Sequence, residues 1–432
     1  MARIIFASEP DFAAKFTALI SNRLGSFEEA SHAAASIISK VKNQGFDALK
    51  KMSADFDDFA LNQSNFKISA EQISSATKSC DAKIIKALEI AAQRIADFHA
   101  MSAPKNGYYE DEFGIGLGWN WTAVDAAGLY APGGKAAYPS SVLMNAIPAK
   151  VAGVGRIIMT TPPNRLHENP AILAAAHIAG VSEIYGVGGA QAIAAMAYGA
   201  GELAPVDVIV GPGNAYVSAA KKLVFGDVGI DSVAGPSEIF VIADNKNDAK
   251  IIACDLLAQS EHDELSQSLL FTDDVAFARE VLAAANAQIA AGDTAPPAKA
   301  SWGNYGAIII VDSLSHACDL VNQGAPEHLA IATDNPDALL ANIRHAGSIF
   351  LGRLTPESLG DYVAGPNHVL PTGRRARFSS GLSVMNFMKR TTLLRANQIG
   401  LAQIGPFASV LANAEGLPAL GLSVEMRLRD AN

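Results

Sequence analysis

Cysteine is scarce in this chain of 432 residues: Cys80, Cys254 and Cys318 stand far apart, in no Cys-x-x-Cys arrangement. That spacing excludes a disulfide framework and a thiolate zinc site, and it fits a reducing compartment. Positive charge is also in short supply, with 33 Lys and Arg against 43 Asp and Glu and a net charge of −10. No basic run occurs and no aromatic residues interleave with basic ones, so nucleic acid is not an expected partner. Long apolar runs are missing too. The opening Met-Ala-Arg-Ile-Ile-Phe-Ala-Ser-Glu-Pro is too short an apolar stretch for a signal peptide and is cut by an acid and a proline. The least charged stretch, 184–201, contains five glycines and Gln191, which reads as strand, turn and small-residue helix and not as a membrane span. A cytoplasmic protein without a membrane partner is expected.

Half of the residues are hydrophobic and 18% are charged, the balance of a compact folded chain. The length exceeds what one hydrophobic core supports, so two main units with appendages are expected. Residues 1–25 offer one short strand and one helix, an arm too small to fold alone. Ser26 and Glu29 form a capping-box pattern ahead of a helical stretch, 30–49, that Gly45 interrupts. A second helix is expected over 81–99, with His32 and His99 read as surface or packing residues.

From Gly114 to Pro236 charges thin out and glycine, proline and alanine take over, which marks a boundary. Within it, strand-like runs at 156–160, 183–187 and 206–210 alternate with helical ones at 171–179, 190–198 and 215–225. That alternation predicts a parallel sheet wrapped by helices. Two strand-to-helix turns are glycine-rich: Gly186-Val-Gly188-Gly189-Ala-Gln191 and Gly211-Pro-Gly213-Asn214. Such turns let backbone amides approach a phosphate at a helix start. Neither completes G-x-G-x-x-G, because Gln191 and Tyr216 occupy the last glycine's place, and a plain tight turn is served by the same residues. The loop Tyr130-Ala-Pro-Gly133-Gly134-Lys135 is placed to border the same crevice.

A second α/β unit follows, with strands at 239–243, 269–271, 307–311 and 329–331, helices at 250–263, 276–290 and 315–323, and a surface connection at 290–299. Gln259 and His262 are three apart, so one helical face presents both to a shared ion, although a polar helix end has the same pattern. Glu327 and His328 set an acid beside an imidazole at a strand start, which suits general acid–base chemistry and equally an ordinary strand-start pair. Asp361 and His368 lie in a glycine-punctuated loop that His368 can pin by hydrogen bonds.

Seven segments in order resemble histidinol dehydrogenase: Gly128-Leu-Tyr130-Ala-Pro-Gly133-Gly134; Gly188-Gly189-Ala-Gln191-Ala; Val210-Gly211-Pro-Gly213-Asn214-Ala-Tyr216; Ala234-Gly-Pro-Ser237-Glu238; Gln259-Ser-Glu-His262-Asp263; Ala325-Pro-Glu327-His328-Leu; and Asp361-Tyr-Val-Ala-Gly-Pro-Asn367-His368-Val-Leu-Pro. The resemblance implies an NAD-dependent four-electron oxidation of L-histidinol to L-histidine through the aldehyde, the last step of histidine synthesis. It implies Glu327 and His328 as the catalytic pair, and Tyr130, Gln191 and Asn214 as NAD contacts. Ser237, Gln259, His262, Glu327, His328, Asp361 and Glu415 would contact the substrate, and Gln259, His262 and Asp361 would bind zinc. The family's fourth zinc ligand is a histidine in the tail motif Glu-Gly-Leu-x-Ala-His, and this chain has Leu420 there. Zinc is therefore expected to bind more weakly. Two further readings attach to Leu420: oxidation of a different small amino or hydroxy alcohol, or a catalytically weakened binding dimer.

For architecture the resemblance implies two incomplete Rossmann-like α/β domains with parallel sheets, small N- and C-terminal segments, and an intertwined homodimer. The expected division is an arm at 1–25, a discontinuous domain from 26–129 and 236–380 carrying the metal and acid–base residues, an NAD-binding-like domain at 130–235, and a tail at 381–432 that contributes to the partner subunit.

Overall fold

The structure, a computed structural model, describes residues 3–21, 27–132, 138–165 and 169–430. Ser26 and the Gly133-Gly134-Lys135 portion of the first loop lie outside the described residues. The architecture is α/β, built on two parallel sheets of six and five strands, with a third, antiparallel sheet of three strands. No described helix is long and apolar enough to cross a membrane.

The five-stranded sheet has the order Glu183–Gly186, Arg156–Thr161, Ala126–Tyr130, Val208–Val210, Gly229–Ile230. Strand order therefore reverses between Ala126–Tyr130 and Val208–Val210, which opens a crevice at their carboxyl ends. Small-residue helices, Gly189–Tyr198 and Pro170–Ala179 among them, pack closely on its faces. Alanine at most of their buried positions allows that approach.

The six-stranded sheet has the order Arg3–Phe6, Ala307–Ile310, Gln267–Thr272, Glu238–Ala243, His328–Ala332, Ser348–Leu351. Its four inner strands are buried on both faces and alternate cleanly. Ile239, Val241, Leu270 and Ile308 face one helical layer, while Phe240, Ile242, Leu269, Phe271 and Ile309 face the other. Its order reverses between Glu238–Ala243 and His328–Ala332.

The expected partition needs correction at two places. Arg3–Phe6 is an edge strand of the six-stranded sheet, and the helix Phe12–Ser21 covers that sheet through Phe12, Phe16 and Leu19. The arm is thus part of the second unit. The helices from Phe27–Gln44 to Ala82–Met101 wrap the five-stranded sheet, through Ala34, Ile38, Val41 and Leu49 on one face and Leu88, Ala91 and Ile95 on the other. Their apolar stripes are complementary to its alanine-rich layer, so they group with the strands after them and not with 236–380.

The helix break at Gly45 is present, with φ 54° between Phe27–Gln44 and Phe46–Asp57. The 290–299 connection is in part helical, since Pro297–Tyr305 begins inside it. The antiparallel sheet pairs Met388–Ala396 with Ile115–Ala123 and the latter with Gly107–Glu110. Beyond it the tail is a hairpin of two helices, Gln398–Ala414 and Pro418–Asp430.

Candidate active site

Glu327 precedes, and His328 begins, the strand His328–Ala332, so both stand at the amino edge of the six-stranded sheet. Parallel register puts His328 beside Ile239, which brings Ser237 and Glu238 alongside. The Glu238 amide donates to Glu327 Oε2 at 3.0 Å. The helix Ala249–Ser260 runs back from the sheet's carboxyl edge and delivers Gln259 to the same place. His262 lies just past that helix, which ends at Ser260 and not at 263 as the spacing predicts; it remains beside Gln259, whose Nε2 donates to its Nδ1 at 3.2 Å. The short helix Glu357–Tyr362 adds Glu357 and Asp361.

These groups surround one imidazole. His328 Nδ1 is 3.0 Å from Gln259 Oε1, 3.2 Å from the Glu238 carbonyl and 3.3 Å from Glu357 Oε1. Two hydrogen-bond acceptors, with the Glu357 carboxyl at ion-pair distance, place a ring hydrogen at Nδ1. Nε2 is buried, with no hydrogen-bond partner, 3.6 Å from Asp361 Oδ1. Ligand atoms of His328, Glu357 and Asp361 all lie within 4.8 Å of one another. His368 stands behind Asp361: its Nδ1 donates to the Asp361 carbonyl at 2.9 Å, and its Nε2 is 3.2 Å from Ser141 Oγ. That bond joins the loop to the helix Pro139–Ala152, which belongs to the other sheet's layers.

Packing several carboxyls into one buried space redistributes their protons. Burial pushes Glu327 up to about 7 and Glu357 up to about 8, against the attraction of His328. Burial opposes charging His328, yet Glu357 and Glu327 together push it up to about 10. Burial likewise opposes ionising Asp361, but His328 holds it below the usual carboxylate range.

The NAD candidates stand at the carboxyl edge of the five-stranded sheet. Tyr130 is buried, its hydroxyl accepts from the Gly189 amide at 3.0 Å, and burial pushes it up to about 12. Gln191 is buried and its side chain lies over Gly189. Asn214 caps the helix Ala215–Val224, accepting from the Tyr216 and Val217 amides at 3.1 Å each. Gly211 has φ 116°, and a Cβ there would sit 2.3 Å from the Tyr130 carbonyl oxygen. Only glycine permits that approach across the strand-order reversal.

Glu238, Glu357 and Ser141 are groups the sequence reading passed over. Glu357 had a usable signal, an acid four residues before Asp361, which one helical turn aligns. Glu415 and Leu420 do not join the cluster of their own chain; both are exposed on the tail hairpin.

The profile of histidinol dehydrogenase matches residues 21–428. This chain belongs to the histidinol dehydrogenase family. It is 52% identical over 428 residues to histidinol dehydrogenase of Agrobacterium fabrum, covering 99% of each chain. With the Rhodospirillum rubrum protein of the same name it shares 53% over 423 residues, 98% of each. The crystal structure of histidinol dehydrogenase from Elizabethkingia anophelis superposes with a TM-score of 0.93 at 34% identity, covering 99% of this chain and 98% of that one. Membership makes the chain an oxidoreductase and accounts for finding the seven segments in order.

Proposed function

We propose that the chain oxidises L-histidinol to L-histidine with two molecules of NAD⁺, as the final step of histidine biosynthesis. The observation that carries this is the His328 environment. Its Nδ1 faces acceptors while its Nε2 is buried without a hydrogen-bond partner, 3.6 Å from Asp361 Oδ1. Once the neighbouring carboxylate charge is offset and the ring is neutral, that nitrogen is placed to act as a general base.

His328 Nε2 takes the hydroxyl proton of the bound alcohol, and the carbinol carbon loses a hydride to leave the aldehyde. Glu327, able to hold or release a proton near neutrality, then helps water add to that aldehyde. Loss of a second hydride from the hydrate gives the carboxylate. Bound between Tyr130, Gln191 and Asn214, NAD⁺ would accept the hydride at each stage. Ser237, beside Glu327, and Asp361 hold the substrate from one side, and Glu415 contacts it from a second copy.

The donor set fits zinc: an amide oxygen from Gln259, an imidazole from His262, a carboxylate from Asp361, and unpartnered buried oxygens close by on Glu357. A divalent cation held by Gln259, His262 and Asp361 would anchor the substrate's amine and imidazole nitrogens and offset the carboxylate charge that holds the His328 proton. Leu420 brings no ligand, so binding is weaker than with the family's tail histidine. Metal analysis of the purified chain beside Leu420→His tests this. The variant should retain more zinc through dialysis and show higher activity without added metal; equal zinc and equal activity would remove the lost-ligand argument. NADH formation from other small amino and hydroxy alcohols, but not from L-histidinol, would replace the histidinol reading with a changed substrate. A chain that turns over none of them fits the binding dimer.

The tail, 381–432, is proposed to cross to a second copy in a homodimer. Phe407, Val410, Leu411 and Leu420 are 60–69% exposed on its hairpin, more apolar surface than a lone subunit ordinarily leaves to water. A monomeric mass in solution would exclude the exchange.

A further inference from the structure

We propose that Glu357 is a positioning residue for the proton step, orienting His328 so that Nε2 faces the alcohol; this rests on the reading of His328 as base. Glu357 is only 5% exposed, and neither of its oxygens has a hydrogen-bond partner. A buried carboxylate so placed costs several kcal/mol unless an opposite charge offsets it. Of the groups that act on it most strongly, His328 alone attracts, while Asp361, Glu327 and Asp255 repel. The reach is direct, 3.3 Å from Oε1 to His328 Nδ1.

The other two acceptors at Nδ1, the Glu238 carbonyl and Gln259 Oε1, are neutral. Gln259 is also a proposed zinc ligand, so its oxygen is claimed elsewhere when the metal is bound. Glu357 then remains as the carboxyl 3.3 Å from Nδ1 and lies against the ring as it gains the substrate's proton. The atoms balance simply: the alcohol proton moves to Nε2, Nδ1 keeps its own, and Glu357 takes none. The logic is that of an acid behind a histidine base, reached here from a helix that follows the last strand of the sheet.

The test is a double-mutant cycle on the zinc-loaded enzyme with L-histidinol and NAD⁺. Glu357→Gln should lower kcat about 10- to 100-fold while the KM for L-histidinol moves less than about threefold. Glu357→Asp, which keeps the carboxyl at shorter reach, should recover part of the loss. In a His328→Asn background Glu357→Gln should cost nothing further, and zinc content should match the parent throughout. A purely structural role predicts losses that multiply, and that result overturns the proposal. Loss of zinc from Glu357→Gln would make it a ligand instead, and an unchanged kcat would leave it without a role; either also overturns it. A parent that turns over L-histidinol while the cycle fails sinks only this proposal, whereas a parent that forms no NADH sinks the reading beneath it.

Discussion

The two parallel sheets share a plan and use opposite edges of it. Each reverses strand order once, between Ala126–Tyr130 and Val208–Val210 in one and between Glu238–Ala243 and His328–Ala332 in the other. In the five-stranded sheet the carboxyl ends at that reversal carry glycines, and those at 189 and 211 let the backbone pack directly against Gln191 and the Tyr130 carbonyl. In the six-stranded sheet the corresponding edge is bridged by a side-chain ion-pair cluster. Arg353 donates to the Ala332 carbonyl at 2.8 Å and pairs with Asp244 at 2.9 Å and Asp334 at 2.8 Å. The reactive groups collect at the opposite, amino edge, where Glu327 and His328 enter the strand. One sheet thus offers a backbone cradle and the other a buried store of acids and imidazoles, and the Ser141–His368 bond joins the two.

That division is broken most sharply by His328→Asn. It should lower kcat about 10²- to 10⁴-fold and leave the Kd for NAD⁺ unchanged; weaker cofactor binding by calorimetry would show that the regions are not separate. Next is Lys221→Met. Lys221 and Asp231 form an ion pair with side chains 2% and 3% exposed. Lys221 donates to the Gly211 carbonyl at 2.8 Å while Asp231 accepts the Gly211 amide at 2.9 Å. Removing one partner strands the other charge and should destabilise folding by about 3–5 kcal/mol, with weaker NAD⁺ binding and unaltered zinc content. Denaturant unfolding and metal analysis read the two arms.

Gly211→Ala should cost roughly 1–3 kcal/mol of stability or cofactor binding, since both its φ and its contact with Tyr130 are denied to alanine. An unchanged KM for NAD⁺ would remove Gly211 from the crevice. The smallest effect concerns Glu183. Despite burial, Arg156, Tyr185 and Lys67 hold its carboxyl down at about 2. A depressed value contributes stability that is complete above the ordinary 4.5 and drains away as pH falls through about 2. Glu183→Gln should therefore be roughly 1–2 kcal/mol less stable than the parent at pH 7, allowing for solvent screening, and the gap should close by pH 2. A constant gap in the unfolding midpoint would mean that charge is not what Glu183 contributes.

Most elements were legible in the sequence because their periodicity is strong: the strands at 156–161 and 238–243 and the helix Pro170–Ala179 are as expected to within a residue or two, and the helix Ala249–Ser260 stops three residues short of its expected end. The partition was less legible. Which sheet the helices of 27–101 cover depends on matching apolar stripes across distant segments, and no local pattern records that. Met388–Ala396 is largely exposed and lacks alternation, so its pairing with Ile115–Ala123 could not be read either. In the site, Gln259, His262, Glu327, His328 and Asp361 were found through motifs, and the structure brings them together around one ring. Glu357 belongs to no short pattern with His328. Only the return of the helix Glu357–Tyr362 to the amino edge makes them neighbours.

The central claim is a two-stage oxidation carried out at the amino edge of the six-stranded sheet. It is tested most directly by absorbance at the NADH band when a limiting amount of L-histidinol is exhausted by the zinc-supplemented enzyme in excess NAD⁺. The account predicts close to two NADH per L-histidinol, with L-histidine as the product. One NADH with accumulated aldehyde, or none at any zinc concentration, would contradict it.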